Sequence, residues 1–245
     1  MIEVSKTALP PILYKYCPPE RIDVIYSFRI RFSPPSEFND IFDTRFVPPP
    51  PSEMATTAES ARAKLIRARR RNRFGILCLT EDADNHLMWV NYAQNHTGFV
   101  IGFKTSSPFF QAGGTGLRKV MYHAPPLDSP EEDACFYKSP DWKYEKEWRY
   151  VRTFDDSEDR LVNIDDENLI VEIVFGHSMK DGDISKIVSQ VEALTKTSSS
   201  ADVAFFQSTP VHSDWRFVKE PKTFECCNHC NGRGFVENKT LRIDG

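Results

Sequence analysis

Hydrophobic and polar residues alternate in short runs along much of the chain, and this alternation predicts strands. The first run, PILYKY, places Ile12, Tyr14 and Tyr16 on one face. All the predicted runs are short, as strands in globular proteins usually are. Further strands are predicted at RIRFS, FGILCLTE, GFVIGF, RKVMYH, EWRYVRTF, LIVEIVFG, DVAFFQS and WRFVKE.

Other segments have the spacing and the end signals of helices. PPERIDVIYSF begins with proline and has acidic residues early, which is typical of a helix N-terminus. Ser52 is placed to cap SEMATTAESARAKLIRARRRNRF, a segment rich in helix-forming residues. DADNHLMWVNYAQN has an aspartate at its cap position and spaced apolar residues after it. Two more helices are predicted, at PEEDACFYK and MKDGDISKIVSQVEALTK.

The order of these elements predicts the α+β class. Strands and helices do not alternate strictly, so a curved, mixed or mainly antiparallel sheet of short strands is favoured over a doubly wound parallel one. We expect a single domain over residues 1–217 and a tail over residues 218–245.

Composition narrows the classes of protein that the chain can belong to. With 245 residues, 40% of them hydrophobic, it is long enough to bury a substantial core. Its net charge of -4 does not indicate a nucleic-acid partner. We see neither a membrane-spanning run nor a secretion signal. We therefore expect a cytoplasmic protein with reduced thiols among its six cysteines.

The segment YEKEWRYV carries two glutamates near one arginine. If the strand reaches back far enough, Glu145, Glu147 and Arg149 line one face, while Trp148 and Tyr150 line the other. Arg149 is then placed to pair with Glu147 and keep it ionised. Two interpretations stay open at this point: a charge ladder on a half-exposed strand, or a pair of carboxylates in a cleft.

Three other groups of residues have both a functional and a structural interpretation. Trp89 and Tyr92 are either core contacts or an aromatic wall beside a pocket for a flat ring. The acidic and amide side chains of FSPPSEFNDIFD either bind a cation or cap turns; they are Asn39, Asp40 and Asp43. The arginines near the middle of the chain either contact phosphates or cover a solvated helix face; they are Arg67, Arg69, Arg70, Arg71 and Arg73.

The tail contains CCNHCNGRGF, which has the spacing of one arm of a zinc knuckle. Zinc takes four ligands, and the candidates here are Cys226, Cys227, His229 and Cys230. No second CxxC follows, so structural zinc in the tail would need a distant ligand or a second chain.

The succession LYKY, FSPPSEFNDIFD, CLTEDADNHLMWVNYAQNHTGFVIGF, KVMYH and YKSPDWKYEKEWRYV resembles the bacterial family named domain of unknown function 2971 (DUF2971). The resemblance runs from about Leu13 to Gly176. Ile41 replaces the proline that usually follows FND in that family, while Asn39, Asp40 and Asp43 stay in place.

The order of elements is also similar to that of ADP-ribosyltransferase folds, in which a late strand carries the catalytic glutamate. That similarity implies Glu147 as the residue that stabilises a ribosyl cation, Glu145 as the residue that orients or deprotonates the acceptor, and Arg149 as their partner. It implies NAD as the substrate. The residues that would contact NAD are Tyr14, Lys15, Arg31, Ser33, Thr80, Trp89 and Tyr92.

The leading hypothesis is therefore an NAD-consuming ADP-ribosyltransferase-like enzyme that modifies a protein or nucleic acid, as bacterial toxins and phage-defence effectors do. A second hypothesis is a nucleic-acid-binding or metal-dependent nuclease-like effector that uses the arginine run and the acids near Asp40. A third is a sensor or adaptor whose tail binds zinc or a partner.

Overall fold

The structure is a computed structural model, and it describes residues 8–40, 42–44, 72–126, 129–155, 158–195, 203–226 and 235–237. These residues form an α+β fold with mixed, mainly antiparallel strand pairing, which confirms the predicted class. The chain divides into two compact units. The first unit comprises the described parts of Met1–Leu9, Ile30–Leu79 and Pro108–Asn163, and the second those of Pro10–Arg29, Thr80–Ser107 and Ile164–Gly245.

Strands of the first unit lie in the order β3-β6-β5, where β3 is Phe74–Thr80, β5 is Leu117–Lys119 and β6 is Glu147–Thr153. The pair β5 and β6 is antiparallel. A separate pair joins β2, Arg29–Arg31, to β7, Leu161–Asn163. The short helix α3, Glu131–Ala134, and a 3-10 helix, Pro140–Glu145, precede β6.

The core of the first unit follows from the alternation within its strands. Phe74 and Ile76 of β3 pack with Val151 of β6 and with Cys135 and Phe136, which follow α3. On the same strand as Val151, Tyr150 is fully buried and meets the rings of Phe32, Phe109 and Phe110. Trp148 is also buried. The predicted inward face of β6 is thus confirmed for both aromatic residues.

In the second unit, strands lie in the order β10-β9-β8-β4-β1. All neighbours are antiparallel except β8 and β9, which are parallel. The strands are β1 Ile12–Cys17, β4 Phe99–Lys104, β8 Ile170–Phe175, β9 Ala204–Val211 and β10 Arg216–Pro221. A further antiparallel pair is formed by β11, Phe224–Cys226, and β12, Phe235–Glu237.

The described part of the second unit contains the helices α1 Asp23–Ser27, α2 His86–Tyr92 and α4 Asp181–Thr195. The first turn of α2 is capped by Asn85, whose side chain accepts hydrogen bonds from the backbone N–H groups of Leu87 and Met88. The helix is where the pattern indicated, but the predicted aspartate cap is wrong because the capping residue is Asn85. Trp89 anchors α2 through an edge contact with Tyr16 and an indole N–H donated to the carbonyl oxygen of Ala83.

Most of the strands and helices predicted from the pattern are present. The short strands β7, β11 and β12 were not predicted. The helix predicted from Ser52 lies outside the described residues, as do Ile41 and four of the five arginines of the basic run. Strand β10 runs across residue 217, where the tail was expected to begin. No helix within the described ranges has the length and apolar character needed to cross a membrane.

Candidate functional site

A cluster of charged side chains lies in the interior of the first unit. Each of its members has at most 7% of its surface exposed, and Arg149 has none. Charged residues are almost never buried to this degree unless they are paired. Asp43, Lys138, Glu145, Glu147 and Arg149 form this group, which is called the charge cluster below.

Arg149 is at the centre of the charge cluster. Its two terminal nitrogens donate to Asp43 Oδ1 at 2.8 Å and Oδ2 at 2.6 Å. Its Nε and Nη2 donate to Glu147 Oε1 at 2.8 Å and Oε2 at 3.1 Å. Nη1 also donates to the carbonyl oxygen of Cys135 at 2.6 Å. The guanidinium thus holds two carboxylates in bidentate geometry, the arrangement that suits its planar fork.

Lys138 links the two glutamates of the motif. Its ammonium donates to Glu145 Oε2 and, at 3.1 Å, to Glu147 Oε2. The same nitrogen lies 3.8 Å from Asp43 Oδ2 and 4.9 Å from the centre of the Trp142 ring. One lysine therefore approaches all three carboxylates of the charge cluster.

The backbone brings the two glutamates together in a way that simple alternation does not describe. Glu145 ends the 3-10 helix, and Lys146 has left-handed dihedrals, with φ 46° and ψ 48°. Strand β6 begins only at Glu147. The expectation that Glu145 extends the same strand is therefore wrong, and the two carboxylates meet because both bind Lys138.

Asp43 reaches the cluster from a turn far away in sequence. The Asp40 side chain accepts a hydrogen bond from the backbone N–H of Phe42, and the N–H of Asp43 donates to the carbonyl oxygen of Asp40. Asp40 thus acts as a turn former, one of the two interpretations open from the sequence. Asp43 is buried in ion pairs with Arg149.

Charge within the cluster is unbalanced, since three carboxylates face two cations. Burial by itself would raise the pKa of Glu147, but the charges of Arg149 and Lys138 and the hydrogen bonds from Arg149 outweigh it and lower that pKa. Burial raises the pKa of Asp43, against the opposing charge of Arg149. Burial opposes the charge of Arg149, yet Glu147 and Asp43 raise its pKa well above the usual value.

Polar and aromatic groups complete the surroundings of Glu147. The Tyr122 hydroxyl accepts a hydrogen bond of 2.7 Å from the backbone N–H of Glu147, and burial raises the pKa of that phenol. The Cys78 side chain hydrogen-bonds to the Glu147 carboxylate. The Phe38 ring centre lies 5.3 Å from Arg149 Cζ. Glu147 is therefore an ionised carboxylate whose position is set from several sides.

The cluster rules out one of the two interpretations that the sequence left open for this strand. A half-exposed charge ladder is wrong, because Glu145, Glu147 and Arg149 are all buried. The predicted pairing of Arg149 with Glu147 is present. Sequence reasoning missed Lys138, which lies seven residues before Glu145 and shares no helix or strand with the glutamates.

Two of the residues predicted to contact NAD lie in the first unit. The Arg31 guanidinium donates to both carboxylate oxygens of Glu37, at 2.6 Å and 2.7 Å. Ser33 forms an isolated antiparallel bridge with Ile76 through its backbone. Neither of these interactions involves a member of the charge cluster.

The remaining predicted contacts, Tyr14, Lys15, Thr80, Trp89 and Tyr92, lie in the second unit. Tyr14 pairs with Thr80 in antiparallel register. Trp89 has no exposed surface, and its ring stacks on His96 with centroids 5.8 Å apart. Of the two rings proposed to stack on nicotinamide, only Tyr92 retains exposed surface.

A smaller polar group in the second unit was not predicted as a group. Lys219 of β10 donates to Glu172 of β8 at 2.6 Å and to the Tyr14 hydroxyl at 3.2 Å. Burial, together with Glu172, raises the pKa of Tyr14. Gly102 lies between Tyr14 and Glu172 in the strand register, and a Cβ there would lie 2.4 Å from Glu172 Cγ. The missing side chain leaves room for the carboxylate.

The predicted metal and phosphate sites fall largely outside the described residues. Cys227, His229 and Cys230 lie outside them, and for Cys226 only the backbone is described. Of the basic run, Arg73 is described, and its guanidinium lies 3.8 Å from Glu131. Within the described part of the chain, no three or more His, Cys, Asp or Glu side chains are grouped as metal ligands.

Comparison with known proteins gives one match. No curated protein and no solved structure matches the chain. The matching family segment contains four members of the charge cluster, Lys138, Glu145, Glu147 and Arg149, whereas Asp43 lies before it. Residues 88–150 match the family described as protein of unknown function (DUF2971), which confirms over that range the resemblance predicted from the motifs.

Proposed function

We propose that the protein is an NAD-consuming ADP-ribosyltransferase-like enzyme and that the charge cluster is its reaction centre. The observation that carries the proposal is the state of Glu147, a carboxylate kept ionised and fixed by Arg149 and Lys138. An acceptor macromolecule would receive the ADP-ribosyl group, as in bacterial toxins and phage-defence effectors.

The chemistry requires a fixed negative charge beside the ribose. When the bond between ribose C1′ and the nicotinamide nitrogen breaks, nicotinamide leaves with the electron pair and the sugar acquires oxocarbenium character. A carboxylate that is already ionised and oriented stabilises that positive charge without reorganising during the reaction. Glu147 has this property because four of its hydrogen bonds come from Arg149, Lys138 and the neighbouring Cys78.

Glu145 supplies the second function that transfer needs. The acceptor nucleophile attacks C1′ and must lose a proton as the new bond forms. Glu145 shares Lys138 with Glu147, so its carboxylate lies beside the proposed reaction centre. In the proposal Glu145 takes the acceptor proton.

Access to Glu147 sets a condition on the proposal. The cluster is buried, and Lys138 is its most exposed member at 7%. Its long flexible side chain contacts the carboxylates as a point charge, whereas Arg149 is held in a planar fork. A ribose can approach Glu147 in the proposed reaction only when the Lys138 side chain moves aside.

The experiment that tests the proposal is incubation of purified protein with labelled NAD and a cell lysate. We expect label on protein, RNA or DNA and release of nicotinamide. Glu147→Gln keeps the shape and removes the charge, so nicotinamide release should fall by about 100-fold or more, as when a single group that stabilises transition-state charge is removed. Glu145→Gln should reduce transfer to the acceptor more than hydrolysis of NAD.

A matched control separates chemistry from folding. Glu132→Gln changes an exposed glutamate of the same unit and should leave NAD cleavage unchanged. Because Glu147→Gln removes one partner of a buried ion cluster, activity is compared per folded molecule, with the folded fraction measured by near-UV circular dichroism. NAD cleavage by folded Glu147→Gln at the rate of the unaltered protein overturns the assignment. Cleavage of nucleic acid without NAD supports the nuclease alternative instead.

A further inference from the structure

A cleft lies at the tip of the β9–β10 hairpin. It has a volume of about 370 Å³ and lies wholly in the second unit. Small-molecule sites commonly have volumes of roughly 300–1,000 Å³, so the cleft is large enough for one small ligand. Its lining includes His86, His212, Trp215, Arg216 and Phe217.

Flat rings contribute to the lining of this hairpin cleft. Trp215 is 94% exposed, which is unusual for the largest side chain, and it has a positive φ of 52° at the hairpin tip. A left-handed backbone conformation at a bulky residue costs free energy, and such positions concentrate at functional sites. Inside the cleft His86 and Phe217 stack with their planes only 5° apart and their centres 5.7 Å apart.

Positive charge lies beside those rings. Arg216 follows Trp215 directly, and its side chain is 60% exposed. Its Nε donates to Asp214 Oδ2 at 3.0 Å, in an ion pair whose partner is 50% exposed. Exposed pairs of this kind are weak and exchange readily with other anions. The His212 imidazole adds a second side chain able to donate a hydrogen bond.

We propose that the hairpin cleft binds a nucleotide, with the base stacked on Trp215 and the phosphate held by Arg216. Rings beside an arginine match a ligand that carries a flat heterocycle and an anionic group. The base stacks on the exposed ring of Trp215, and the phosphate displaces Asp214 from Arg216. This site does not depend on the proposed transferase reaction, because binding here needs no breakage of NAD.

The test is calorimetric titration of the full chain with AMP and, separately, with adenosine. AMP should bind more tightly than adenosine because only AMP carries the phosphate. Trp215→Ala should weaken AMP binding by about fivefold or more, since stacking on one aromatic side chain contributes at least that factor. Trp215→Phe retains a ring and should bind AMP within about threefold of the unaltered protein.

Two variants of the charged pair give opposite expected results. Arg216→Gln should weaken AMP binding by about fivefold and leave adenosine binding unchanged, because it removes only the phosphate contact. Asp214→Asn removes the competing carboxylate and should strengthen AMP binding by up to about fivefold. Asp214, Trp215 and Arg216 are all exposed, so the thermal unfolding midpoint of each variant should stay close to that of the unaltered protein.

Three results would overturn the proposal. The first is no heat of binding with AMP or GMP at millimolar ligand. The second is AMP affinity unchanged in both Trp215→Ala and Arg216→Gln. The third is binding of single-stranded oligoadenylate with no binding of AMP, which would make the hairpin cleft part of a nucleic-acid surface. If the unaltered protein binds AMP in the hairpin cleft but does not cleave NAD, that result counts against the transferase proposal alone.

Discussion

At the scale of single residues, the first unit tolerates a fully buried arginine because every side of its guanidinium has an acceptor. Arg149 donates to two carboxylates and one backbone carbonyl. Removing one partner of such a group leaves an unpaired charge in the interior, at a cost of about 3–5 kcal/mol. The same contacts that keep Glu147 ionised therefore also hold the unit together.

His96 in the second unit, unlike Arg149, is kept neutral by burial. Burial, with the nearby His86 and His177, lowers the pKa of His96 from 6.5 to about 4. Its ring stacks on Trp89 and Phe217, and its Nδ1 is buried without a hydrogen-bond partner in the described part of the chain. Protonation would place a charge where the surroundings offer no acceptor.

The lowered pKa predicts how stability responds to acid. Between about pH 6.5 and pH 4 the unfolded state binds a proton at His96 that the folded state does not bind, so the free energy of unfolding falls as pH falls through this window. His96→Phe keeps a stacking ring and removes the titration. We expect urea midpoints at pH 7 and pH 5 to differ less in His96→Phe than in the unaltered protein.

The matched control is His123→Phe, which replaces an exposed histidine in the other unit. Its urea midpoints should respond to pH as those of the unaltered protein do. Equal loss of stability on acidification in His96→Phe and in the unaltered protein would contradict the role given to His96.

At the scale of elements, the turn that follows β8 depends on a close approach of backbones. The N–H of Gly176 donates to the carbonyl oxygen of Gly98 at 2.9 Å. A Cβ at Gly176 would lie 2.2 Å from the carbonyl oxygen of His96 and 2.7 Å from that of Gly98. Since both neighbours are backbone atoms, neither can rotate out of the way.

Gly176→Ala should therefore lower the free energy of unfolding by about 3 kcal/mol, because overpacking against fixed atoms forces the backbone apart. Gly182→Ala is the matched substitution in helix α4, where a Cβ would meet nothing within 4 Å. It should stabilise the protein by up to about 1 kcal/mol through helix propensity. Chemical denaturation of both variants tests the pair, and similar effects at the two positions would refute the steric explanation.

At the scale of the whole molecule, residues near the end of the described chain pack and form an ion pair within the second unit. Phe224 packs edge-on against Phe175 and Phe205. Lys219 neutralises Glu172, which is only 6% exposed. The second unit thus depends on residues that follow the domain boundary expected at residue 217.

A chain ending at Phe217 should consequently be less stable than one ending at Phe224, by about 3 kcal/mol, because it leaves Glu172 buried without its lysine. Thermal unfolding of the two shortened chains measures the difference, and equal midpoints would contradict it. Lys219→Met in the full chain should reproduce most of the loss. Zinc analysis of the chain ending at Phe224 tests the predicted knuckle, since unchanged zinc content excludes Cys226, Cys227, His229 and Cys230 as ligands.

Much of the fold was predictable because the relevant signals are local. Strand β6 was identified from the alternation of Trp148 and Tyr150 with charged residues, and the helix α2 from its apolar spacing. The cap of α2 was misassigned because aspartate and asparagine both favour that position. The proposed NAD chemistry remains a prediction, as does the role of each residue in it.

The sequence by itself determined the class of fold, the burial of Trp148 and Tyr150 on β6, and the pairing of Glu147 with the nearby Arg149. Only the tertiary structure decided the rest of the charge cluster. Asp43 lies 106 residues from Arg149 along the chain, and Lys138 meets Glu145 through a turn that no periodic pattern encodes. The physical reason is that alternation reports which way a side chain points relative to its own strand, whereas a buried charge is matched by whichever partner folding brings within hydrogen-bond distance.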